Sequence, residues 1–115
     1  VSYQLRGTNQ SLISADSASS LLSLNTWTHI AMVRDTSTTI KIYVSGTLAL
    51  TATIASTTTF TEGGSSLYAE APVIGAKLNS TSDYFVGYMD DFRITKGYAR
   101  YTANFSAPTS AFQLY

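Results

Sequence analysis

Short runs of β-branched, aromatic and alternating apolar residues recur along the chain, and polar turns separate them. A helical repeat of useful length is absent from the sequence, so the pattern predicts an all-β protein of about seven or eight short strands. Strands of this number and spacing favour a two-sheet sandwich over a barrel. They are predicted at residues 1–6, 11–15, 20–24, 27–34, 39–44, 47–54, 67–76 and 84–95.

The middle of the chain predicts an antiparallel meander of three strands, which occupy residues 27–34, 39–44 and 47–54. Polar residues 35–38 form its first turn. Ser45-Gly46 forms a two-residue hairpin loop, because glycine adopts positive φ without a steric penalty. Both faces of the 27–34 strand are apolar, which predicts a central strand covered on both sides.

The strand predicted at residues 84–95 contains a change in the parity of its apolar positions. The side chains concerned are Phe85 and Met89 on one face and Phe92 and Ile94 on the other. One extra residue reverses the alternation of a strand. A β-bulge at Asp90-Asp91 would therefore turn all four side chains towards the core.

After this strand, the sequence predicts one helical turn at residues 98–101 and an extended tail, residues 102–115, anchored by Phe105 and Phe112. Two polar stretches are predicted loops, at residues 56–66 and 77–83. Three residues of the last meander strand are predicted to share its inner face: Leu48, Leu50 and Ile54. The predicted core comprises Ile30 or its neighbours Ala31 and Val33, with Ile42, Val44, Leu48, Ile74, Phe85, Phe92 and Ile94.

Charge and composition narrow the class of protein. Seven basic residues balance seven acidic ones, so no net field attracts nucleic acid or anionic lipid. No apolar run approaches the roughly 20 residues that cross a bilayer, which argues against membrane insertion. The chain has no cysteine, which excludes disulfides and thiolate metal sites. A surface rich in Ser, Thr and Tyr with few charges is typical of an extracellular protein, on a virion or a bacterial cell.

Three segments, in this order and spacing, resemble laminin-G-like domains of the concanavalin A-like superfamily, of the type found in phage and bacterial surface proteins. They are residues 27–46, with WTHIAMVR and IKIYVSG; residues 72–76, PVIGA; and residues 87–105, with GYMDDFRITKG and RYTANF. The resemblance implies an antiparallel two-sheet jelly-roll sandwich in which Trp27 occupies a core position.

The same resemblance leads us to expect one domain over residues 1–115 that lacks its N-terminal strands. Domains of this family are longer and open with strands that are not recognisable before Val1. Sheet edges without these strands would expose unpaired backbone groups. We therefore expect the chain to be part of a longer polypeptide or to pair with another subunit, as in a homo-oligomer.

Retaining glucanases of this superfamily carry two Glu and an Asp that alternate along one strand, because their mechanism needs carboxyl groups about 5 Å apart. The chain has only Glu62 and Glu70, and neither lies in such a pattern. His29 is the only histidine, and its position predicts a packed, hydrogen-bonded, neutral imidazole rather than a catalytic or metal role. The sequence therefore predicts that the protein is not an enzyme.

Asp90-Asp91 is the most prominent polar pair. Two interpretations are open: a Ca²⁺ site, which needs several oxygen ligands, or a structural pair that accepts backbone hydrogen bonds and bonds to Arg93 or Arg100. We expect the structural one, with no metal and no cofactor, because no further carboxylate has suitable spacing.

Tyr84 and Tyr88 are the candidate ligand-binding residues. On an extended strand they would share the outer face, about 13 Å apart, and each ring offers an apolar surface with a hydroxyl at its edge. The predicted function is a non-catalytic binding module for adhesion or carbohydrate recognition, with a glycan or cell-surface receptor as partner. The alternative is a structural decoration or spacer domain that packs against neighbouring subunits of a particle.

Overall fold

The structure is a computed structural model that describes residues 2–6, 12–16, 21–55, 74–75 and 84–113, the first two ranges by their backbone alone. All regular structure in these ranges is β-strand: β1 (Ser2–Arg6), β2 (Leu12–Asp16), β3 (Ile30–Arg34), β4 (Thr39–Val44) and β5 (Thr47–Thr53). Their pairing is antiparallel throughout. The all-β antiparallel class is therefore confirmed for the described residues, and the predicted loops at 56–66 and 77–83 lie outside them.

The chain divides into two compact units. The first comprises Val1–Phe60 with Ile94–Tyr115, and the second comprises Thr61–Arg93. The interpretation of residues 1–115 as one domain stays a prediction.

β1 and β2 form a two-stranded sheet in the first unit. Ser2 lies opposite Asp16 at one end of the ladder, and Arg6 lies opposite Leu12 at the other. These strands confirm the predictions at residues 1–6 and 11–15, with boundaries that shift by one residue.

The predicted meander is present as a three-stranded sheet in the order β3-β4-β5. Ser45 and Gly46 both have positive φ, 49° and 81°, as the tight hairpin turn that matches the strand twist requires. At the opposite end, the Asp35 N–H donates to the Thr39 carbonyl at 3.0 Å and closes the first turn. Local turn chemistry thus determines the register of the sheet.

β4, not β3, is the middle strand of this sheet. The prediction that residues 27–34 form a central strand was wrong for the described residues, since β3 begins at Ile30 and pairs with β4 alone. Ile30 and Met32, which face away from Val33, are exposed. Trp27 precedes the paired segment and is 73% exposed, so its predicted core position was wrong as well.

One face of the sheet carries a cluster of buried isoleucines. Ile40, Ile42 and Ile54 are buried there, and Leu50 and Ala52 pack against them. Ile42 lies opposite Leu50, and Ile40 lies opposite Ala52, so cross-strand pairs build this cluster. Burying an isoleucine side chain contributes about 1.5–3 kcal/mol, so this cluster stabilises the sheet, and Val33 and Tyr43 are buried on the opposite face.

A register shift in β5 divides its apolar residues between the two faces. Ile42 lies opposite Leu50, but Tyr43 lies opposite Leu48, so Ala49 is the additional residue of a bulge. Leu48 therefore shares the face of Tyr43 and is exposed, whereas Leu50 shares the face of Ile42. The prediction that Leu48 lies on the inner face with Leu50 was wrong.

Residues 84–95 do not form the predicted strand: Tyr84 makes an isolated bridge, and no strand follows it. Asp91 has a φ of 51°, which interrupts an extended backbone instead of forming a bulge in a paired strand. Phe92 is 61% exposed. The core assignments in and near this segment were wrong, since all of these side chains are exposed: Ile74, Phe85, Phe92 and Ile94.

Two other predicted elements are absent. Residues 21–24 form no strand, and Asn25 there has a φ of 55°, typical of a turn. Residues 98–101 contain a bend at Arg100, not a helical turn. The anchors of the tail are confirmed, since Phe105 and Phe112 are both half-buried.

Candidate functional site

Tyr84 and Tyr88 lie in the second unit and are 59% and 87% exposed. Next to Tyr84, the Phe85 N–H donates to the Gly75 carbonyl at 2.7 Å. Gly75 has a φ of 78°, a conformation that glycine adopts readily, and it brings its carbonyl to this bond. A turn at Gly75 therefore fixes the start of the segment that presents both tyrosines.

The Phe85 ring folds back over the same segment. Two of its ring carbons lie 2.9 Å from the position that a Cβ at Gly87 would occupy, so a side chain at Gly87 would displace the ring. The Met89 methyl group lies 3.5 Å from the corresponding position at Gly75. The Phe85 ring therefore packs beside Gly87, and the Met89 side chain packs beside Gly75.

The predicted spacing of the two tyrosines along one strand face was wrong, because the strand is absent. Their exposure still leaves two rings available to a ligand. An exposed tyrosine offers a flat apolar face and a hydroxyl that donates and accepts, which suits the alternating polar and apolar surfaces of a sugar ring.

Asp90 and Asp91 form a local turn beside these tyrosines. Oδ1 of Asp90 accepts a hydrogen bond from the Asp91 N–H at 2.8 Å. A short side chain that caps nearby backbone is a structural use of aspartate, as the structural interpretation expects. Arg93 lies in the same unit, whereas Arg100 belongs to the first unit, so a bond from Arg100 to this pair stays a prediction.

A metal site would need several acidic or histidine side chains to converge. No group of three His, Asp or Glu residues does so within the ranges that the structure describes. Glu62, Glu70 and Asp83 lie outside those ranges. The Ca²⁺ alternative therefore finds no cluster of acidic side chains among the described residues.

A second cluster lies in the first unit, where residues 101–113, named here the covering segment, pack on the sheet face opposite the isoleucine core. The His29 ring makes edge-to-face contacts with Tyr101, Phe105 and Phe112, at centroid distances of 6.2, 5.6 and 6.4 Å. The rings of Tyr101 and Phe105 stack at 3.6 Å. This cluster was not predicted from the sequence, although two of its signals are present there: the alternation of His29 with Ala31 and the aromatic anchors.

Three hydrogen bonds hold the covering segment to the hairpin. The Phe105 N–H donates to the Gly46 carbonyl at 3.0 Å, and the Leu48 N–H donates to Oδ1 of Asn104 at 2.9 Å. Lys41 Nζ donates to the Thr102 carbonyl at 2.8 Å.

At Gly46 the backbone of the hairpin lies very close to the backbone of the covering segment. A Cβ there would lie 1.9 Å from the Phe105 carbonyl oxygen, which is a severe overlap with backbone. Glycine therefore serves both the positive φ of the turn and the approach of the covering segment.

Lys41 also forms a salt bridge with Asp35, whose Oδ2 lies 2.5 Å from Nζ. The hydrogen bond that Lys41 donates to Asp35 raises the pKa of Lys41. The ammonium group thus joins β4, the first turn of the meander and the covering segment.

Two polar atoms beside the Phe105 ring lack a hydrogen-bond partner among the described residues. They are Nδ1 of His29 and the hydroxyl of Tyr43, a side chain that is fully buried. The Tyr43 ring lies 5.5 Å from the Phe105 ring. Burial lowers the pKa of His29, which favours the neutral imidazole. The packing predicted for His29 is therefore confirmed, but the predicted hydrogen bond is absent at Nδ1.

Comparisons with known proteins place the chain at the level of a family. The model of the Laminin_G_3 family, described as the concanavalin A-like lectin/glucanases superfamily, matches residues 1–100. No curated protein and no solved structure matches the chain. In the described residues, no helix has the length and apolarity that a membrane span requires. Since the family model covers most of the 115 residues, the chain belongs to the Laminin_G_3 family of the concanavalin A-like superfamily.

Proposed function

We propose that this protein is a non-catalytic extracellular binding module that recognises carbohydrate in adhesion, on the surface of a virion or a bacterial cell. The proposal includes a two-sheet jelly-roll sandwich, in which the β3-β4-β5 sheet forms part of one layer. One observation carries the binding function: Tyr84 and Tyr88 expose most of their surface in a short segment.

Membership of this family supports carbohydrate as the class of ligand. The superfamily takes its name from lectins and glucanases, both of which engage glycans. A lectin-type site needs convergent polar atoms and a stacking surface, without a pair of catalytic carboxylates. Exposed tyrosines supply the stacking surface.

The non-catalytic role rests on the acidic residues. Asp35 is bonded to Lys41, and Asp90 caps the Asp91 N–H, so two of the described carboxylates have structural contacts. In the sequence, Glu62 lies in a predicted loop and Glu70 in a predicted strand, so the pattern does not place two carboxyl groups on one strand. We therefore propose that the protein binds glycans without hydrolysing them, and that it uses no cofactor.

A glycan array screened with the wild-type chain, followed by titration calorimetry on the best ligand, tests the proposal. Tyr88→Ala should weaken binding by roughly 5- to 100-fold, which corresponds to about 1–3 kcal/mol for a stacked aromatic contact. Tyr84→Ala should have a smaller effect, because its ring is less exposed.

Tyr98→Ala is the matched control for this titration. Tyr98 is also an exposed tyrosine but belongs to the first unit, so its removal should leave binding unchanged. An equal loss in all three variants, or glycan binding that survives the double variant Tyr84→Ala/Tyr88→Ala, would contradict the assignment.

The structural alternative has its own supporting observation. In the first unit, Leu24 and Trp27 are large apolar residues that are highly exposed, as expected of a surface that packs against a neighbouring subunit or another copy. If the array shows no glycan binding and the chain associates at micromolar concentration by light scattering, the decoration or spacer role replaces the lectin role. In both cases the balanced charge gives no attraction to nucleic acid.

A further inference from the structure

We propose that a pH-sensitive contact at His29 holds the covering segment, residues 101–113, on the sheet, and that protonation of this imidazole releases the segment. The device lies in the first unit and is independent of the tyrosines proposed to bind ligand in the second.

His29 is placed at the contact by the hairpin. Its carbonyl accepts a hydrogen bond from the Ser45 N–H at 2.8 Å, which extends the β3–β4 ladder beyond Ile30. In this register His29 shares a sheet face with Ala31 and, diagonally, with Tyr43. The covering segment lies on the same face, because Phe105 contacts both the His29 and Tyr43 rings.

The described ring contacts of His29 all come from the covering segment. Tyr101, Phe105 and Phe112 surround the imidazole with aromatic rings, which cannot accept a strong hydrogen bond. Nδ1 is buried without a partner among the described residues. Protonation adds one hydrogen and one positive charge to the ring, so that both nitrogens carry a hydrogen, and the Nδ1–H then needs water as an acceptor. Separation of the segment from the sheet admits that water.

Aromatic rings also attract cations, which opposes release. This attraction is effective within roughly 6 Å of the ring centroid and is strongest over the ring face. Only the Phe105 centroid, at 5.6 Å, lies within that distance, while those of Tyr101 and Phe112 lie at 6.2 and 6.4 Å. The aromatic attraction thus comes mainly from one ring, whereas the unsolvated N–H has no hydrogen-bond partner among the described residues.

No carboxylate contacts His29 among the described residues, so no opposite charge there stabilises the imidazolium. The titratable or charged groups on the elements packed around it are Tyr43 and Lys41 on β4, Asp35 bonded to Lys41, and Tyr101 with the exposed Arg100 before it. Lys41, whose pKa is raised, keeps its positive charge and pairs with Asp35. Burial lowers the pKa of His29, in agreement with this environment.

The lowered pKa of His29 determines how the stability of the docked segment changes with pH. A histidine whose pKa is lower in the folded state binds its proton more readily when released. The docked segment is therefore most stable above the ordinary pKa of about 6.5, and its stability falls as the pH decreases below that value. Because His29 is the only histidine, other side chains contribute little between about pH 7 and about pH 5.5.

Amide hydrogen exchange of the whole 115-residue chain tests the proposal, with rates corrected for their intrinsic pH dependence. The Phe105 amide, bonded to Gly46, reports on the segment, and the Ile54 amide, bonded to Thr38 at the far end of the sheet, is the internal control. The Phe105 protection factor should fall several-fold from about pH 7 to about pH 5.5, while that of Ile54 should stay constant.

His29→Phe keeps an aromatic ring at the contact but removes the titration, so the Phe105 protection factor should no longer depend on pH. The proposal is overturned if the Phe105 protection factor of this variant falls with decreasing pH as in the wild type, or if that of the wild type does not fall. Should the variant fail to fold, an NMR titration of the wild-type imidazole decides the question. A pKa below about 6.5 supports release by protonation, and a pKa at or above that value overturns it.

Discussion

Residues 30–54 and residues 84–100 are similarly rich in apolar side chains, but only the first region buries them. In the β3-β4-β5 sheet, Ile40 and Ile42 are almost inaccessible, whereas Phe92 and Ile94 are largely exposed. The difference arises from pairing. Each meander strand is joined to its neighbour by a short turn, and residues 84–100 have no such neighbour in the described chain. An apolar pattern therefore indicates which side chains are available for burial, and a nearby partner decides whether burial occurs.

Large-to-small substitutions should separate the two regions most strongly. Ile42→Ala should lower the free energy of unfolding by about 2–5 kcal/mol, because it removes a side chain that is 2% exposed and leaves a cavity among the isoleucines. Phe92→Ala removes a larger side chain but should cost less than about 1 kcal/mol, because most of that ring already contacts water. Urea denaturation measures both values.

A loss of several kcal/mol in Phe92→Ala would show that the ring packs against a partner and would remove the distinction between the regions. A small loss in Ile42→Ala would show that the sheet is not the stable core of the first unit.

Gly46 and Gly97 allow a sharper test, since both have a φ of 81°. Alanine at either position incurs the strain of a left-handed backbone, about 1–2 kcal/mol. At Gly46 the new Cβ also overlaps the Phe105 carbonyl, while at Gly97 it meets nothing within 4 Å. Gly46→Ala should therefore cost more than Gly97→Ala by at least about 1 kcal/mol, the value of a lost hydrogen bond, when both are measured in urea.

Equal losses in the two glycine variants would mean that the covering segment adjusts freely. In that case its contact with the hairpin would contribute nothing to stability, and Gly46 would be required only for the turn.

The same contrast explains which features could be predicted from the sequence. The hairpin at Ser45-Gly46 depends on adjacent residues, so turn chemistry was sufficient to predict it. The bulge at Ala49 leaves no trace in the pattern, because Leu48 and Leu50 alternate regularly with their neighbours. The sequence instead placed a bulge at Asp90-Asp91, where the parity of apolar residues changes but no paired strand exists.

The candidate sites were predictable to different degrees. The sequence identified Tyr84 and Tyr88 by residue type, and their exposure agrees with availability to a ligand, but their spacing could not be derived without the backbone path. The aromatic cluster at His29 was missed because it joins β3 to the tail, and only the Phe105 and Phe112 anchors were visible in the sequence. Contacts between distant segments depend on the packed fold, which local pattern does not specify.

The smallest expected difference concerns two side chains that each accept one backbone hydrogen bond. Oδ1 of Asn104 accepts from Leu48, which is 56 positions away, and Oδ1 of Asp90 accepts from the adjacent Asp91. Asn104→Ala should cost about 0.5–1.5 kcal/mol, because it separates the covering segment from β5 and leaves the Leu48 N–H to water. Asp90→Ala should change stability by less than about 0.5 kcal/mol, since a local bond also forms in the unfolded chain. Thermal denaturation at a pH near 7 measures both, and a larger loss for Asp90→Ala would show that residues 84–100 depend on a long-range contact after all.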